Sequence, residues 1–324
     1  MPSVAATPVV RAPVALLASD RLCLSWDLDT VPLVDRPRRG AVAVRVRPGL
    51  YRRAEPGPAG PLVLEACRHA THVELQVWGP PATPQAAREQ ALDAAHAWIG
   101  RHDDPPDLVA LTAGHPALQQ AAREIGQVRL SRLPRVAEAV GRSVLSQLVQ
   151  QVEARRSMAQ LAAALGQPAA RDLWCWPTPA TLARTPAHAM RRCGISLRNA
   201  VALHASALDD PQLERVRSDY PALDRRLRAL RGIGVWTSAE TRLALGDPDA
   251  VSVGDYNLYE VVCHALSGVP RERCSDELML ELLEPYRGQR GRVGRLVVRA
   301  AVRRLLPRLG RRAARAAPSP HRYW

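Results

Sequence analysis

Between residues 20 and 102, apolar residues come in short runs of the kind that form β-strands. The runs alternate with polar residues or are rich in β-branched ones, and turn-forming clusters such as residues 55–60 separate them. They lie at 22–26, 41–46, 61–66 and 72–78. Residues 84–99 then place apolar side chains at helical spacing, so the pattern predicts an antiparallel sheet with a helix on one face.

After the Asp-Asp-Pro-Pro sequence at 103–106, the apolar period becomes that of helices. The predicted helices lie near 108–113, 116–125, 134–149, 153–165, 178–184, 186–193, 197–207, 210–218, 220–230, 235–245, 256–266, 275–284 and 289–306. The predicted fold class is therefore α+β, mainly α. We expect four parts: a flexible tail at 1–19, a β-rich domain at 20–102, a helical domain at 108–310 and a basic flexible tail at 311–324.

The most informative segment is 227–255. A predicted helix leads into Gly232, Ile233 and Gly234, and a second helix ends at a Gly-Asp-Pro-Asp sequence. Glycine accepts positive φ and lets another backbone approach, and N–H groups before a helix bind anions. The segment therefore indicates contact with a nucleic-acid backbone. The lone carboxylate of Asp255 comes after the second helix in the sequence.

The order of these motifs resembles the helix-hairpin-helix DNA glycosylase superfamily, and within it the AlkA-type DNA-3-methyladenine glycosylases II. Two more motifs carry the resemblance: residues 146–149 (SQLV) are similar to the family's G-Q-L-V turn, and residues 284–287 (EPYR) to its K-P-W-R helix start. The similarity covers about residues 108–310. It implies an enzyme that removes damaged bases, alkylated purines above all, from double-stranded DNA without a cofactor.

The resemblance makes Asp255 the catalytic residue. Hydrolysis of an N-glycosidic bond builds positive charge on the sugar, which a carboxylate can stabilise while it orients a water molecule. The alternative is a structural cap on a helix that begins at Tyr256, and one aspartate can serve both roles.

The resemblance also assigns the hairpin residues Gly232, Ile233 and Gly234 to the DNA backbone. It implies that backbone carbonyls hold an alkali cation that bridges to a phosphate, and these carbonyls belong to Arg228, Leu230 and Ile233. The alternative is an ordinary turn between helices that needs glycine.

Two further assignments concern the duplex and the base. Leu148, with Gln147, matches the family's wedge into the base stack; the alternative is a core leucine. Trp236 matches a tryptophan of the base pocket; the alternative is core packing. Where the best-known members place an aromatic, this chain has Glu240, which either faces an amino group or cation of the base or lies on the surface.

The formal net charge of +14 favours a polyanionic partner. All 45 basic residues are arginines. Because the chain has no lysine, it has no side-chain amine for a Schiff base, and the position where lyase members carry lysine holds Trp236. The sequence therefore predicts a monofunctional glycosylase, which leaves an abasic site.

Arginines are concentrated near the carboxyl end of the chain. Helical spacing places several of them on one face of the helix predicted at 289–306. We expect four to face DNA: Arg287, Arg292, Arg295 and Arg299. The alternatives are a solvated helix face and a surface-seeking basic helix.

The six cysteines form no C-x-x-C pair and lack the spacing of an iron–sulfur cluster, so reduced thiols are expected. We expect a monomer in the cytoplasm, associated with the nucleoid and not with membranes. Two other functions remain open: a non-catalytic hairpin protein that senses DNA damage, and a monofunctional glycosylase for oxidised or deaminated bases. An arginine-rich RNA-binding protein would require the hairpin motif to be a coincidence.

Overall fold

The computed structural model describes residues 14–24, 26, 28, 34 and 39–307. The expected tail at 311–324 and most of the one at 1–19 lie outside these residues. The first strand begins at Ala15, so the tail prediction is wrong for 15–19. No helix in the described part of the chain is long and apolar enough to cross a membrane.

The amino-terminal sheet has five antiparallel strands in the order β1-β5-β4-β3-β2. The strands are β1 (Ala15–Leu22), β2 (Ala43–Arg47), β3 (Leu50–Glu55), β4 (Leu62–Arg68) and β5 (Val73–Gly79). The predicted strand at 22–26 is wrong, because β1 ends at Leu22. The sequence did not predict β3 as a strand, since three of its six residues are charged.

Helix α1 (Gln85–Trp98) covers one face of the sheet, as predicted. Ala91, Ala95 and Trp98 pack there with inward residues of β4 and β5. The opposite face packs against a small hairpin at 167–175, whose Leu173 lies in the same apolar cluster as residues of β3 and β4. The sheet is thus covered on both faces.

Apart from this small hairpin and the connecting loops, the rest of the described chain is helical, which confirms the α+β, mainly α class. The helices are α2 (Leu108–Leu111), α3 (Pro116–Ile125), α4 (Val136–Leu145), α5 (Gln151–Leu165), α6 (Pro179–Arg184), α7 (Ala187–Arg191), α8 (Leu197–Arg215), α9 (Tyr220–Ala229), α10 (Val235–Ala244), α11 (Leu258–Ser267), α12 (Asp276–Leu283) and α13 (Arg290–Val302).

Helix α8 corrects the prediction of two helices at 197–207 and 210–218. It continues through Pro211, which removes one backbone donor. Leu203 and Leu213, on either side of the proline, are buried in the same apolar cluster, so packing outweighs the lost hydrogen bond.

The helices build two apolar clusters. The first contains residues of α4, α5, α8 and α9, and the second contains residues of α3, α11, α12 and α13. Helix α10 ends in the first cluster with Ala244 and Leu245, and α11 belongs to the second. The connection between them, residues 246–257, therefore passes from one cluster to the other and carries Asp255.

A buried ionic cluster joins the sheet to α4. Arg53 of β3 is fully buried and donates from Nη2 to Glu138 Oε2 (2.5 Å) and from Nε to Glu55 Oε1 (2.6 Å). Glu138 also accepts from Arg142 Nε (2.7 Å). Burial alone would raise the pKa of Glu138, but the two guanidinium groups outweigh it and hold that pKa below its usual value.

Replacing Glu138 by glutamine is expected to lower the free energy of unfolding by about 3–5 kcal/mol, because it leaves buried arginines without their counter-charge. Urea denaturation followed by circular dichroism measures the change. Glu281→Gln, at an exposed position of α12, should change it by less than about 0.5 kcal/mol. Equal effects of the two substitutions would contradict the structural role of the cluster.

Candidate active site and nucleic-acid interface

The turn between α9 and α10 is a tight glycine hairpin. Gly232 has φ +88°, and a Cβ at this position would lie 3.0 Å from that of Ala202. Ile233 is buried in the first apolar cluster and anchors the turn. A Cβ added at Gly234, by contrast, would meet nothing within 4 Å. The two glycines therefore differ: Gly232 serves the packing of the turn, whereas Gly234 leaves its outer side open.

A polar contact fixes the two hairpin helices to each other. The Ser238 hydroxyl of α10 donates to Asp224 Oδ1 of α9 (2.7 Å). At the end of α9, the Leu230 carbonyl accepts from Ile233 N (3.2 Å), and a carbonyl oxygen can accept a second partner. Carbonyls at a helix end are oxygen ligands of the kind that a hard cation uses. The alkali site at the carbonyls of Arg228, Leu230 and Ile233, which the resemblance implies, stays a prediction.

The turn after α4 is tied to this hairpin. Gln147 donates from Nε2 to the Gly232 carbonyl (2.9 Å) and to the Thr237 hydroxyl (2.7 Å). Leu148 follows with φ +55° and is 77% exposed, so it is not a core leucine. A leucine at positive φ is strained, and because its side chain is exposed, it contributes no free energy of burial to the fold. Strain of this kind is concentrated at functional sites.

A cavity of about 570 Å³ lies beside Leu148. Its walls come from the turn after α4, from α5 and from the start of α8. Arg191 and Arg198 are among its lining residues, together with Asn199. The protruding leucine thus stands next to an open space with basic groups.

Asp255 lies in the connection between α10 and α11, half-buried. Its Oδ2 accepts from the Trp236 indole Nε1 (3.1 Å). Its Oδ1 accepts from the backbone N–H groups of Asn257 and Leu258 (2.9 Å each). Asp255 therefore does cap α11, which begins at Leu258, not Tyr256. The same carboxylate is also held by a side chain of the hairpin's second helix.

The connection that carries Asp255 is fixed at both of its ends. Asp249 Oδ1 accepts from Arg290 N at the start of α13 (3.0 Å). Gly254 N donates to Asp276 Oδ2 of α12 (3.0 Å). Together with Trp236 of α10, these contacts hold the connection that carries Asp255 against α10, α12 and α13.

Trp236 is half-buried and is not a member of the apolar clusters formed by the described residues. Core packing thus does not explain it. Its indole N–H is used by Asp255, which leaves the ring faces for other contacts. The sequence placed Trp236 in a base pocket and gave no sign of this hydrogen bond, because the two residues meet only through the fold.

Glu240 lies one turn further along α10, with its carboxyl enclosed by protein, so it is not a surface residue. Oε1 accepts a hydrogen bond from the hydroxyl of Ser252. Burial raises the pKa of Glu240; the Ser252 hydrogen bond and the charge of Arg295 oppose that rise, and the charge of Asp255 adds to it. Sequence reasoning missed Ser252, which no motif marks.

Arg292 corrects the expectation of a DNA-facing stripe on α13. It is 1% exposed and pairs through both Nη atoms with Asp103 (2.6 and 2.7 Å), 189 residues earlier in the chain. Arg295 and Arg299 are also largely enclosed, and burial lowers the pKa of both, that of Arg299 to about 10. Of the four predicted arginines, Arg287 is exposed, and it pairs with Glu284.

Comparisons with known proteins agree with this geometry. No family model and no curated protein matches the chain. Among solved structures, a 3-methyladenine DNA-glycosylase from Archaeoglobus fulgidus has a TM-score of 0.71 at 16% identity, covering 87% of this chain and 98% of its own. The chain has the fold of the helix-hairpin-helix DNA glycosylases.

Other structures with the glycosylase fold differ in their substrates. An 8-oxoguanine glycosylase/lyase from Clostridium acetobutylicum, in complex with double-stranded DNA, has a TM-score of 0.63 at 13% identity, covering 81% of this chain and 88% of its own. A 3-methyladenine DNA glycosylase from Schizosaccharomyces pombe, in complex with abasic DNA, has a TM-score of 0.52 at 18% identity, covering 61% and 97%. The shared fold therefore does not fix the base.

Replacing Gly234 by leucine is expected to weaken binding to intact and damaged duplexes alike by about tenfold, which is about 1.4 kcal/mol. The added side chain would project from the open side of the hairpin without disturbing the fold. Fluorescence anisotropy with labelled duplexes measures the affinity. Gly114→Leu, at another open glycine, is the control. If both variants bind DNA like the wild type, the hairpin is not the contact.

Proposed function

We propose that this protein is a monofunctional DNA glycosylase that hydrolyses the bond between deoxyribose and a damaged base. The observation that carries the proposal is the fixed position of the Asp255 carboxylate. It accepts a hydrogen bond from the indole of Trp236, which lies two residues after the last glycine of the hairpin. A group that stays oriented before the substrate arrives needs no reorganisation during the reaction.

Asp255 acts on the sugar. As the bond from C1′ to the base breaks, the bonding electrons leave with the base and positive charge develops on the deoxyribose. The carboxylate stabilises that charge and orients the water molecule whose oxygen bonds to C1′. The water gives up one proton. A base that leaves as an anion takes up a proton, whereas a cationic alkylated purine leaves as the neutral base and the proton passes to the solvent. The products are free base and an abasic site.

The hairpin and the Leu148 turn act on the duplex. Backbone N–H groups around Gly234 bind the phosphate backbone, with an alkali cation held by the carbonyls of Arg228, Leu230 and Ile233. Leu148 enters the base stack where the damaged nucleotide leaves it. An apolar wedge offsets part of the cost of unstacking, which is a few kcal/mol. Gln147, the residue before Leu148, donates a hydrogen bond to the Gly232 carbonyl of the hairpin. This bond supports a coupling between backbone binding and insertion of the wedge.

The absence of lysine supports hydrolysis without strand cleavage. Strand cleavage by a glycosylase proceeds through a Schiff base, and this chain has no lysine to form one. Two classes of substrate are compatible with the proposal: alkylated purines, and oxidised or deaminated bases. With DNA as its substrate, the enzyme acts on the chromosome.

Asp255→Asn is expected to reduce base release at least about a thousandfold, which is about 4 kcal/mol of transition-state stabilisation. It should keep the affinity for duplex DNA, because asparagine can still cap α11. The assay incubates the protein with duplexes that carry single defined lesions and reveals abasic sites with alkali.

Asp107→Asn is the matched control, since Asp107 caps α2 with its side chain. It should retain full activity. Retained base release in Asp255→Asn would reject the assignment of this residue. Tight binding without base release by the wild type would instead indicate a protein that only senses damaged DNA.

A further inference from the structure

The cavity beside the Leu148 turn has no role in the reaction at Asp255. Its volume of about 570 Å³ is that of an ordinary ligand site. Among the described residues, none of α10, of α11 or of the connection 246–257 lines it. Both sites nevertheless adjoin the same turn, since Gln147 donates to the Thr237 hydroxyl of α10 (2.7 Å). The cavity is therefore a separate space next to the candidate active site.

Two exposed leucines border this cavity. Leu148 is 77% exposed, and Leu197, the first residue of α8, is 57% exposed. Leu145, Val149 and Ile195 add apolar surface to the walls. A flat ring that entered the cavity would cover leucine surface that the folded chain leaves in water, and this burial would favour its binding.

The polar side chains fixed in the cavity walls hydrogen-bond to the protein itself. Asn199 donates from Nδ2 to a carbonyl of α4 (2.9 Å), and the Ser157 hydroxyl donates to the Gly194 carbonyl (3.3 Å). Glu153 accepts from the backbone N–H of Gln150 (3.0 Å). These side chains hold the walls together, so they do not form a pattern of donors and acceptors that selects one ligand edge.

Arginines supply the remaining polar groups of the lining. Arg191 and Arg198 line the cavity and are exposed. Arg198 also lines a second cavity of about 470 Å³, which extends to Arg231 and Gly232 of the hairpin. A guanidinium donates equally to a phosphate and to an acceptor of a base. Apolar walls with basic groups at the backbone side fit a nucleobase that stays attached to its strand.

We propose that this cavity receives the base opposite the lesion and holds it without selecting its identity. When Leu148 takes the place of the damaged nucleotide, that base loses its partner. It contacts Leu148 and Leu197 with its faces, and Arg198 donates to an acceptor on its edge. Every nucleobase has such faces and an acceptor. The inference rests on the proposed function and adds a contact to the undamaged strand.

The test measures binding, so it does not depend on base release. Each duplex carries a tetrahydrofuran ring in place of the damaged nucleotide. Opposite this ring stands adenine, cytosine, guanine, thymine or a second tetrahydrofuran. By fluorescence anisotropy, the wild type is expected to bind the four duplexes with an opposite base within about threefold of one another. It should bind each of them at least about fivefold more tightly than the duplex without one.

Two substitutions in the lining are compared with two on the far part of the same helix. Leu197→Ala and Arg198→Gln should each reduce the preference for an opposite base to less than about twofold. Leu197→Ala should leave the affinity for the duplex without an opposite base unchanged. Leu208→Ala and Arg215→Gln, at exposed positions of α8, should keep the full preference.

Equal affinity of the wild type for duplexes with and without an opposite base overturns the inference. So does a Leu197→Ala variant that keeps the preference, or one that loses affinity for both kinds of duplex alike, since the cavity then contacts the backbone. A preference for one opposite base above about tenfold rejects binding without selection. A wild type that shows the expected preference but releases no damaged base would instead refute the proposed function and leave the cavity assignment in place.

Discussion

The hydrogen bond from the Trp236 indole to Asp255 is the contact on which the rest of the site depends. It connects α10, which the hairpin positions, to the start of α11, which belongs to the other apolar cluster. Without this contact, the carboxylate would only cap the start of α11, on one side of the boundary between the two apolar clusters. With it, the position of Asp255 is set relative to the surface that we assign to the DNA backbone.

The surrounding polar contacts extend the same coupling. Gln147 joins the Leu148 turn to the hairpin, and Ser252 joins the Asp255 connection to Glu240. The hairpin turn, the exposed leucine and the carboxylate are therefore fixed to one another by side-chain hydrogen bonds between helices. Precise mutual positioning of this kind is what converts binding energy into catalysis.

The sequence predicted the local features and missed the long-range ones. The hairpin glycines, the lone Asp255 after them and most helices follow from local patterns, as does the sheet covered by α1. Strand β3 was missed because its buried charge is neutralised by Glu138, 85 residues away. The stripe on α13 was misread for a similar reason, because Arg292 turns inward to meet Asp103. Helical spacing identifies a shared face but not what covers it.

The most direct test of the account is the affinity for two duplexes with sugar analogues, one carrying a cationic pyrrolidine and the other a neutral tetrahydrofuran ring. If Asp255 stabilises positive charge on the deoxyribose, the wild type will bind the cationic duplex more tightly, and Asp255→Asn will lose that preference. If the variant keeps the full preference, the carboxylate does not act on the sugar, and the central claim is contradicted.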